Sequence, residues 1–234
     1  MVGMKITVIG ASGLIGSKVV DLLTAEGHDV VAASRGSGVD VLTGAGVAEA
    51  LSGADVLVDV VNSPSFEDDP VMEFFKKSTT NLVVVAARAN VGHYVALSIV
   101  GVDALPDSGY LRAKVVQEKI ITESGLPYTI VRATQFAEFT DAITDSMADE
   151  DQVRVPDALI QPIAAADVAN SVARAAVAEP LNGVVNIGGP QKISFEQMAR
   201  DTLARRGEDK EVVIDPDAQY FGTKLAERSL VTPD

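Results

Sequence analysis

Lys5-Ile-Thr-Val-Ile9, followed at once by Gly10-Ala-Ser-Gly13-Leu-Ile-Gly16, is the stretch that decides the fold of this 234-residue chain. The first five residues are rich in β-branched side chains, which is typical of a strand buried on both faces. Apolar residues then recur at helical spacing up to Gly27, which supplies a stop signal. A strand, a glycine-rich turn and a helix in this order predict the opening unit of an α/β fold.

The glycines of this turn have the spacing of a phosphate-binding turn. Gly10 allows the tight turn, Gly13 lets the backbone approach a diphosphate, and Gly16 lets helix and sheet pack closely. The N–H groups at the start of the helix face the anion, and the helix dipole favours its charge. The predicted nucleotide contacts in this turn are Gly10, Ser12, Gly13, Leu14, Ile15 and Gly16.

The alternation of strands and helices continues through the first 130 residues. Strands are predicted at residues 29–33, 55–61, 94–98 and 128–132, and helices at residues 47–51, 71–90 and 110–124, with an acidic loop at 65–69. Buried strands that alternate with helices predict a parallel, doubly wound sheet of the Rossmann type. In such a sheet, ligands bind at the carboxyl ends of the strands.

The pattern is less regular beyond Arg132. Residues 134–151 are predicted to be helical or irregular, with strands at 152–155, 184–187 and 212–215 and helices at 167–178 and 194–205. No linker is evident, so we predict one domain over residues 1–234. Its cofactor part spans about residues 1–133, and a small substrate-side lobe spans about residues 134–234.

The composition excludes several classes of protein. The chain has no cysteine and two histidines, which excludes a thiol nucleophile, an iron–sulfur centre and a Cys/His zinc site. With 19 basic and 33 acidic residues the net charge is −14, which argues against a nucleic-acid partner. We expect no metal site, because the acidic residues Asp141, Asp145, Asp149 and Asp151 are typical of a solvated face.

The sequence predicts a cytoplasmic protein without a membrane partner. No apolar run reaches the roughly 18 residues that are needed to span a bilayer. The N-terminus reads as a strand and a glycine turn, without the basic leader and cleavage site of a signal peptide.

The end of the second strand indicates which dinucleotide is bound. An acidic residue there binds the ribose 2′-hydroxyl of NAD, but this chain has Ser34 and Arg35 instead. Both donate hydrogen bonds, and Arg35 adds a full positive charge that suits a 2′-phosphate. We therefore predict NADP(H) as the preferred cofactor, with NAD(H) left open. Asp40 and Val41 are predicted to meet the adenine, and Val61 with Asn62 the nicotinamide ribose.

Tyr110 and Lys114 are candidate catalytic residues. They lie four positions apart on a predicted helix and therefore share one face. A nearby ammonium lowers the pKa of a phenol, which then acts as a general acid toward a carbonyl oxygen. Ser98, at the end of the preceding strand, is a candidate for holding that oxygen. Tyr220 and Lys224 have the same spacing but no such strand before them, so position favours Tyr110 and Lys114.

These residues together resemble the short-chain dehydrogenase/reductase superfamily. The glycine spacing, the run Leu-Ser-Ile-Val-Gly-Val-Asp from Leu97 and the run Arg-Ala-Thr-Gln-Phe from Arg132 are similar to its atypical, NmrA-like branch. The resemblance covers roughly residues 4–200. It implies a Rossmann fold, NADP(H) as cofactor, and Ser98, Tyr110 and Lys114 as the catalytic group. It further implies that Lys114 bonds the nicotinamide ribose and that Thr134 and Gln135 lie by the nicotinamide.

The chain departs from this pattern at two places. Ala133 stands where many relatives have proline, and the lobe after Arg132 has only about 100 residues. A lobe of this size disfavours a nucleotide-sugar substrate and indicates a small one. Phe136, Phe139, Met147 and Ile160 are candidates for an apolar wall, with core packing as the alternative, and residues 63–69 around Phe66 are a candidate lid.

Two functional hypotheses follow from the sequence. The first is an NADPH-dependent oxidoreductase that reduces a small carbonyl, quinone or related acceptor, with Tyr110 as general acid. The second is a non-catalytic NADP(H) sensor that binds a protein partner, as some NmrA-like members do; such members commonly lack the Tyr–Lys pair. An epimerase that uses tightly held NAD is disfavoured by Arg35. The sequence leaves a homodimer open.

Overall fold

The fold is known from a computed structural model, which describes residues 3–233. The strands are β1 Lys5–Ile9, β2 Asp29–Ala33, β3 Val56–Asp59, β4 His93–Ile99, β5 Tyr128–Ala133, β6 Gln152–Val155, β7 Leu159–Ile160, β8 Gly183–Ile187, β9 Ile193–Ser194 and β10 Glu211–Ile214. The helices are α1 Leu14–Ala25, α2 Val47–Ala50, α3 Asp68–Arg88, α4 Gly109–Thr122, α5 Thr140–Ser146, α6 Ala165–Val177 and α7 Phe195–Arg206. Between residues 3 and 233, no helix combines the length and apolarity required to cross a membrane.

A six-stranded parallel sheet forms the centre of the protein. Its strand order is β2-β1-β3-β4-β5-β8, and every neighbouring pair is parallel. The chain builds outward from β1 to β2 and then crosses back to β3 on the other side of β1. This reversal creates a crevice at the carboxyl ends of β1 and β3, where doubly wound sheets bind ligands. The predicted Rossmann-type α/β fold is confirmed.

Helices cover both faces of the sheet because the strands are apolar on both sides. Ile6 and Val8 of β1 pack into one core cluster, with α1 and α6. Ile9 packs into the cluster of the opposite face, with α2, α3 and α4. Thr7 shares this second face and donates its hydroxyl to the Ala50 carbonyl at 2.7 Å. The alternation of side chains along a strand thus decides which helix layer each residue meets.

The C-terminal lobe has a core of its own. Two-stranded pairings of β6 with β10 and of β7 with β9 pack with α7 around Phe195 and Met198. Asp141 and Asp145 of α5 pair with Arg205 and Arg206 at the end of α7. The acidic spacing that the sequence shows in this region therefore serves ion pairs between helices.

The part of the chain after residue 133 contributes to both cores. Helix α6 packs on α1 under the main sheet, and β8 pairs with β5 as the sixth strand, with Thr129 opposite Gly183. The lobe proper consists of α5, β6, β7, β9, α7 and β10. The main sheet therefore includes β8, which lies beyond residue 133. The division into a cofactor part and a substrate-side lobe near that residue stays a prediction about function.

Helix α3 begins earlier than the sequence suggests. The sequence predicts a loop at residues 65–69 and a helix from residue 71, but α3 begins at Asp68. Pro70 is tolerated because N–H groups in the first turn of a helix have no intrahelical partner. Asp68 and Asp69 in that turn also interact favourably with the helix dipole.

The glycine turn after β1 is as tight as its spacing predicts. Gly10 has a φ of +88°, which residues other than glycine rarely adopt. A Cβ at Gly16 would lie 2.0 Å from the Gly10 carbonyl oxygen. Helix α1 can therefore approach the turn this closely only with glycine at position 16.

We expect Gly16→Ala to lower the free energy of unfolding by about 1–3 kcal/mol, because the added methyl group displaces either α1 or the turn. Urea denaturation measures this effect. Gly92→Ala is the matched control, since a Cβ there would lie 3.5 Å from the nearest atom, the Asp55 oxygen, in ordinary contact. Equal stability of the two variants would contradict the prediction.

Candidate active site

One cavity of about 1030 Å³ opens at the carboxyl ends of β1 to β5. It brings together most of the residues that the sequence singles out. These are Gly10, Ser12, Gly13, Leu14, Ile15, Ser34, Arg35, Val41, Val61, Asn62, Ser98, Tyr110, Lys114 and Thr134. Two predicted residues do not line it: Gly16 lies buried behind the turn, and Asp40 points elsewhere.

The N-terminus of α1 is free to hold an anion. Gly13 caps the helix, and the first helical hydrogen bond runs from Ser17 N–H to the Gly13 carbonyl at 3.0 Å. The N–H groups of Leu14, Ile15 and Gly16 precede this bond and therefore have no helical acceptor. The first turn, which lies within the described residues, has no acidic side chain. This end of the cavity fits a diphosphate.

The segment after β2 forms one wall of the cavity. Arg35 opens a short 3₁₀ turn, Arg35–Ser37, and its side chain is exposed. The Asp40 carboxylate accepts the backbone N–H of Leu42 at 2.8 Å, and this bond lowers the pKa of Asp40. Asp40 was predicted to meet the adenine, but its carboxylate is engaged by its own turn. The neighbouring Val41 lines the cavity instead.

Tyr110 and Lys114 both reach the cavity, but they are not bonded to each other. The Tyr110 hydroxyl donates to Asn62 Oδ1 at 3.2 Å, and burial raises the pKa of Tyr110 to about 12. The expectation that Lys114 lowers this pKa is therefore wrong. The reason is that the Lys114 ammonium is held elsewhere.

The Lys114 ammonium is buried beneath the cavity. It donates to the Leu97 carbonyl at 2.8 Å and to the Gln117 side chain, and it lies 4.6 Å from the centre of the Phe75 ring. Burial lowers the pKa of Lys114 to about 8, against the opposing effects of Asp59 and Glu118. Lys114 is thus cationic at neutral pH and titrates just above it.

A buried carboxylate, which the sequence analysis missed, completes this group. Asp59 Oδ2 accepts the Tyr94 hydroxyl at 2.8 Å and Gln117 Nε2 at 3.1 Å. Burial raises the pKa of Asp59. An acidic residue inside a predicted buried strand was the available signal, because a buried carboxylate requires partners.

Two buried polar atoms in the cavity lack a partner. Ser98 is 4% exposed and Gln135 is 7% exposed, and neither Ser98 Oγ nor Gln135 Oε1 has a hydrogen-bond partner among residues 3–233. Thr134, by contrast, donates its hydroxyl to the Gln161 carbonyl. Buried polar atoms are normally satisfied, so Ser98 and Gln135 are available for a ligand.

Aromatic rings line the other end of the cavity. Phe66 and Phe221 each contact Tyr110, with ring centres 5.1 Å and 5.6 Å from it. Phe136 and Phe139 stack on each other, as candidates for the apolar wall. The two other predicted wall residues, Met147 and Ile160, pack in the lobe core instead.

The second Tyr–Lys pair does not form a comparable site. Lys224 is exposed and pairs with Asp217 at 2.5 Å. Tyr220 lies in the lobe core against Phe195, at a ring distance of 6.0 Å. Phe221, next to it, is a lining residue that sequence reasoning missed, although Gly222 directly after it was a turn signal.

Comparison with known proteins agrees with this architecture. A family model described as NAD(P)H-binding matches residues 10–179. The photosystem II assembly factor Ycf39 of Cyanophora paradoxa is 26% identical over 147 residues, which is 57% of this chain. The aligned stretch spans 46% of that relative, less than half of its length.

Solved structures share the fold at low identity. The Bordetella bronchiseptica enzyme WbmH, in complex with NAD⁺, is 17% identical, with a TM-score of 0.71 over 92% of this chain and 87% of that one. The dTDP-4-dehydrorhamnose reductase of Bacillus anthracis, in complex with NADP, is 14% identical, with a TM-score of 0.71 over 97% of this chain and 88% of that one.

These matches confirm the predicted resemblance to NAD(P)-binding proteins. They do not resolve the choice between NAD and NADP. The glycine turn, the sheet order and the cavity at the switch point are all features of a dinucleotide-binding protein. The chain belongs to the NAD(P)H-binding family.

Proposed function

We propose that the protein is an NADPH-dependent oxidoreductase that reduces a small, uncharged carbonyl, quinone or related acceptor. One observation carries the proposal. Within the part of the chain that the structure describes, Ser98 Oγ is buried without a hydrogen-bond partner, and it lines the same cavity as Tyr110 and Lys114. A hydroxyl, a phenol and a cation around one space are the groups that a developing alkoxide requires.

The cofactor end of the cavity fits a dinucleotide. The α1 N-terminus and Ser12 would hold the diphosphate, and Ser34 with Arg35 the 2′-phosphate. Val41 would pack on the adenine, while Val61 and Asn62 would lie by the nicotinamide ribose and Thr134 by the nicotinamide. The unpaired Gln135 Oε1 is available to the nicotinamide amide. Bound NADPH would supply the hydride.

The chain's own residues would manage the proton. Ser98 Oγ donates a hydrogen bond to the acceptor oxygen and so orients it. With a pKa of about 12, the Tyr110 phenol stays protonated at neutral pH and is ready to give its proton to that oxygen. The Lys114 ammonium, which lines the same cavity, would stabilise the phenolate that remains by turning toward it from the Gln117 side chain. Its bond to the Leu97 carbonyl holds it beside the strand that carries Ser98.

A non-catalytic NADP(H) sensor is the second candidate. Two observations favour it: Tyr110 and Lys114 are bonded to other protein groups rather than to each other, and one relative is named an assembly factor. A sensor would need the cofactor end of the cavity but no proton donor. The oxidoreductase is favoured because Ser98 Oγ, which has no hydrogen-bond partner among residues 3–233, lines the same cavity as Tyr110.

Tyr110→Phe separates the two candidates. We expect kcat/KM for NADPH-dependent reduction of quinones and carbonyls to fall by about 10²- to 10⁴-fold, because the general acid is lost. The NADPH affinity should stay unchanged, since the ring and its packing remain. Tyr128→Phe is the control, because Tyr128 lies in β5 and does not line the cavity, and this variant should keep its turnover. Tight NADPH binding without turnover in the unaltered protein would establish the sensor.

Arg35→Ala tests the cofactor preference. We expect the Kd for NADPH to rise by roughly 10- to 100-fold, because a charge-assisted hydrogen bond to the 2′-phosphate is lost. The Kd for NADH should stay within about twofold, since NADH has no such phosphate. Arg88→Ala removes an exposed arginine at the end of α3 and should change neither affinity. Equal losses for both dinucleotides would contradict the proposal.

The pH profile tests the role of Lys114. A lysine is cationic below its pKa, so the stabilising charge is present below about pH 8 and is lost as the pH rises through that value. We therefore expect kcat/KM to decline above about pH 8 in the unaltered protein. In Lys114→Arg the decline should move to higher pH, because a guanidinium stays charged. An alkaline limb at the same pH in both proteins would assign it to another group.

A further inference from the structure

A tight hairpin places a phenylalanine over Tyr110. Tyr220 and Thr223 exchange both backbone hydrogen bonds, at 2.8 Å and 3.1 Å, around the two central residues Phe221 and Gly222. Both central residues have positive φ, +47° at Phe221 and +75° at Gly222. This is the backbone of a type I′ turn, whose first central position normally carries asparagine, aspartate or glycine.

The phenylalanine is therefore strained, and burial does not account for it. A bulky side chain at positive φ is unfavourable and persists only where the surroundings impose it. Phe221 is still 43% exposed, so its ring gains less from the hydrophobic effect than a core residue gains. Strain of this kind concentrates at ligand clamps and active sites.

The Phe221 ring completes an aromatic group around the proton donor. Its centre lies 5.6 Å from Tyr110 and 5.6 Å from Phe66, and Phe66 lies 5.1 Å from Tyr110. These are distances at which aromatic rings attract each other. Phe66 is 50% exposed, so two half-exposed rings flank the Tyr110 side chain at the mouth of the cavity.

The base of the hairpin is fixed, whereas its tip is not buried. Tyr220 packs in the lobe core, and Thr223 is 2% exposed. On the opposite side of the mouth, Asp68 pairs with Arg112 at 2.7 Å and ties the segment after Phe66 to α4. The Phe221 ring also contacts the buried Tyr220 ring, with centres 4.8 Å apart, so the hairpin presents Phe221 to the cavity from a fixed base.

The charges of the cavity limit which molecules can bind beside these rings. Among the described residues that line it, Arg35 and Lys114 are the charged ones, and both belong to the proposed cofactor and proton-transfer end. The end near Phe66 and Phe221 presents aromatic, aliphatic and neutral polar groups. An anionic acceptor would find no cation of its own there, whereas a neutral ring would find faces to stack on.

We propose that Phe221 and Phe66 recognise a flat, uncharged ring by stacking on it beside the Tyr110 hydroxyl. Phe221 is then the residue that selects ring acceptors over chain acceptors, and the strain at its φ is the consequence of that placement. This inference rests on the proposed reductase function for the identity of the reaction, but the recognition itself is measurable without turnover.

The test compares two probes, 1,4-naphthoquinone and 2-pentanone, by calorimetry on protein saturated with NADP⁺. The oxidised cofactor supplies no hydride, so affinity is measured alone, and the chain has no cysteine for the quinone to alkylate. We expect Phe221→Asn to weaken naphthoquinone binding roughly tenfold, because stacking is lost. Pentanone binding should change by less than about twofold, since a chain has no face to stack.

The same variant should be more stable than the unaltered protein. Asparagine tolerates positive φ, so Phe221→Asn should raise Tm by about 2–4 °C. Phe221→Leu keeps the strain and the apolar bulk but removes the aromatic face, so it should lose naphthoquinone affinity without the gain in Tm. Leu181→Asn changes a residue that is 60% exposed and outside the cavity, so it should change the affinity for neither probe.

The outcomes separate this inference from the proposed function. A lower Tm in Phe221→Asn with unchanged discrimination between the probes would show a structural role and overturn the inference. Equal losses for both probes, in a protein that still reduces quinones with NADPH, would overturn it as well and leave the reductase standing. Selective loss of naphthoquinone binding, in a protein that turns over no acceptor, would support ring recognition and overturn the reductase.

Discussion

The contact between Gly16 and the Gly10 carbonyl is the constraint on which the binding site depends. A single methyl group at position 16 would lie 2.0 Å from that oxygen, so α1 starts at this height only because glycine is there. The contact fixes the first N–H groups of α1 above the crevice between β1 and β3. The proposed diphosphate site therefore consists of backbone N–H groups, without a basic side chain in the turn.

A second constraint is the layer of buried polar side chains beneath the proposed proton-transfer end of the cavity. Burying an ammonium and a carboxylate costs free energy unless both are hydrogen-bonded, and the pair from Lys114 through Gln117 to Asp59 meets that condition. Such a network contributes little net stability compared with apolar packing. Its effect is to hold one cation at a defined depth under the cavity, with a pKa just above neutrality.

The two ends of the cavity are built differently. The proposed cofactor end comes from turns that follow strands of the main sheet, so its geometry is set by backbone pairing. The proposed acceptor end is made by the loop around Phe66, the segment from Phe136 to Phe139 and the hairpin tip at Phe221. Loops vary without cost to the sheet, which allows the acceptor to differ among proteins that share this fold.

The amino-acid sequence by itself determined the sheet, the glycine turn and the placement of Ser98, Tyr110 and Lys114 in one cavity. These features rest on local patterns, namely strand and helix periodicity and the rule that strand ends meet at one edge. The early start of α3 shows the limit of such patterns, since a proline in the first turn reads as a breaker although it is tolerated there.

Only the tertiary structure decided the chemical state of those residues. Helical spacing brings Tyr110 and Lys114 to one face, but it does not say that the ammonium turns toward Gln117 and that the phenol bonds Asn62. The positions of Asp59 and Phe221 depend likewise on contacts between segments far apart in the chain. Burial and hydrogen-bond partners set a pKa or a strained φ, and both come from that long-range packing, which no local pattern encodes.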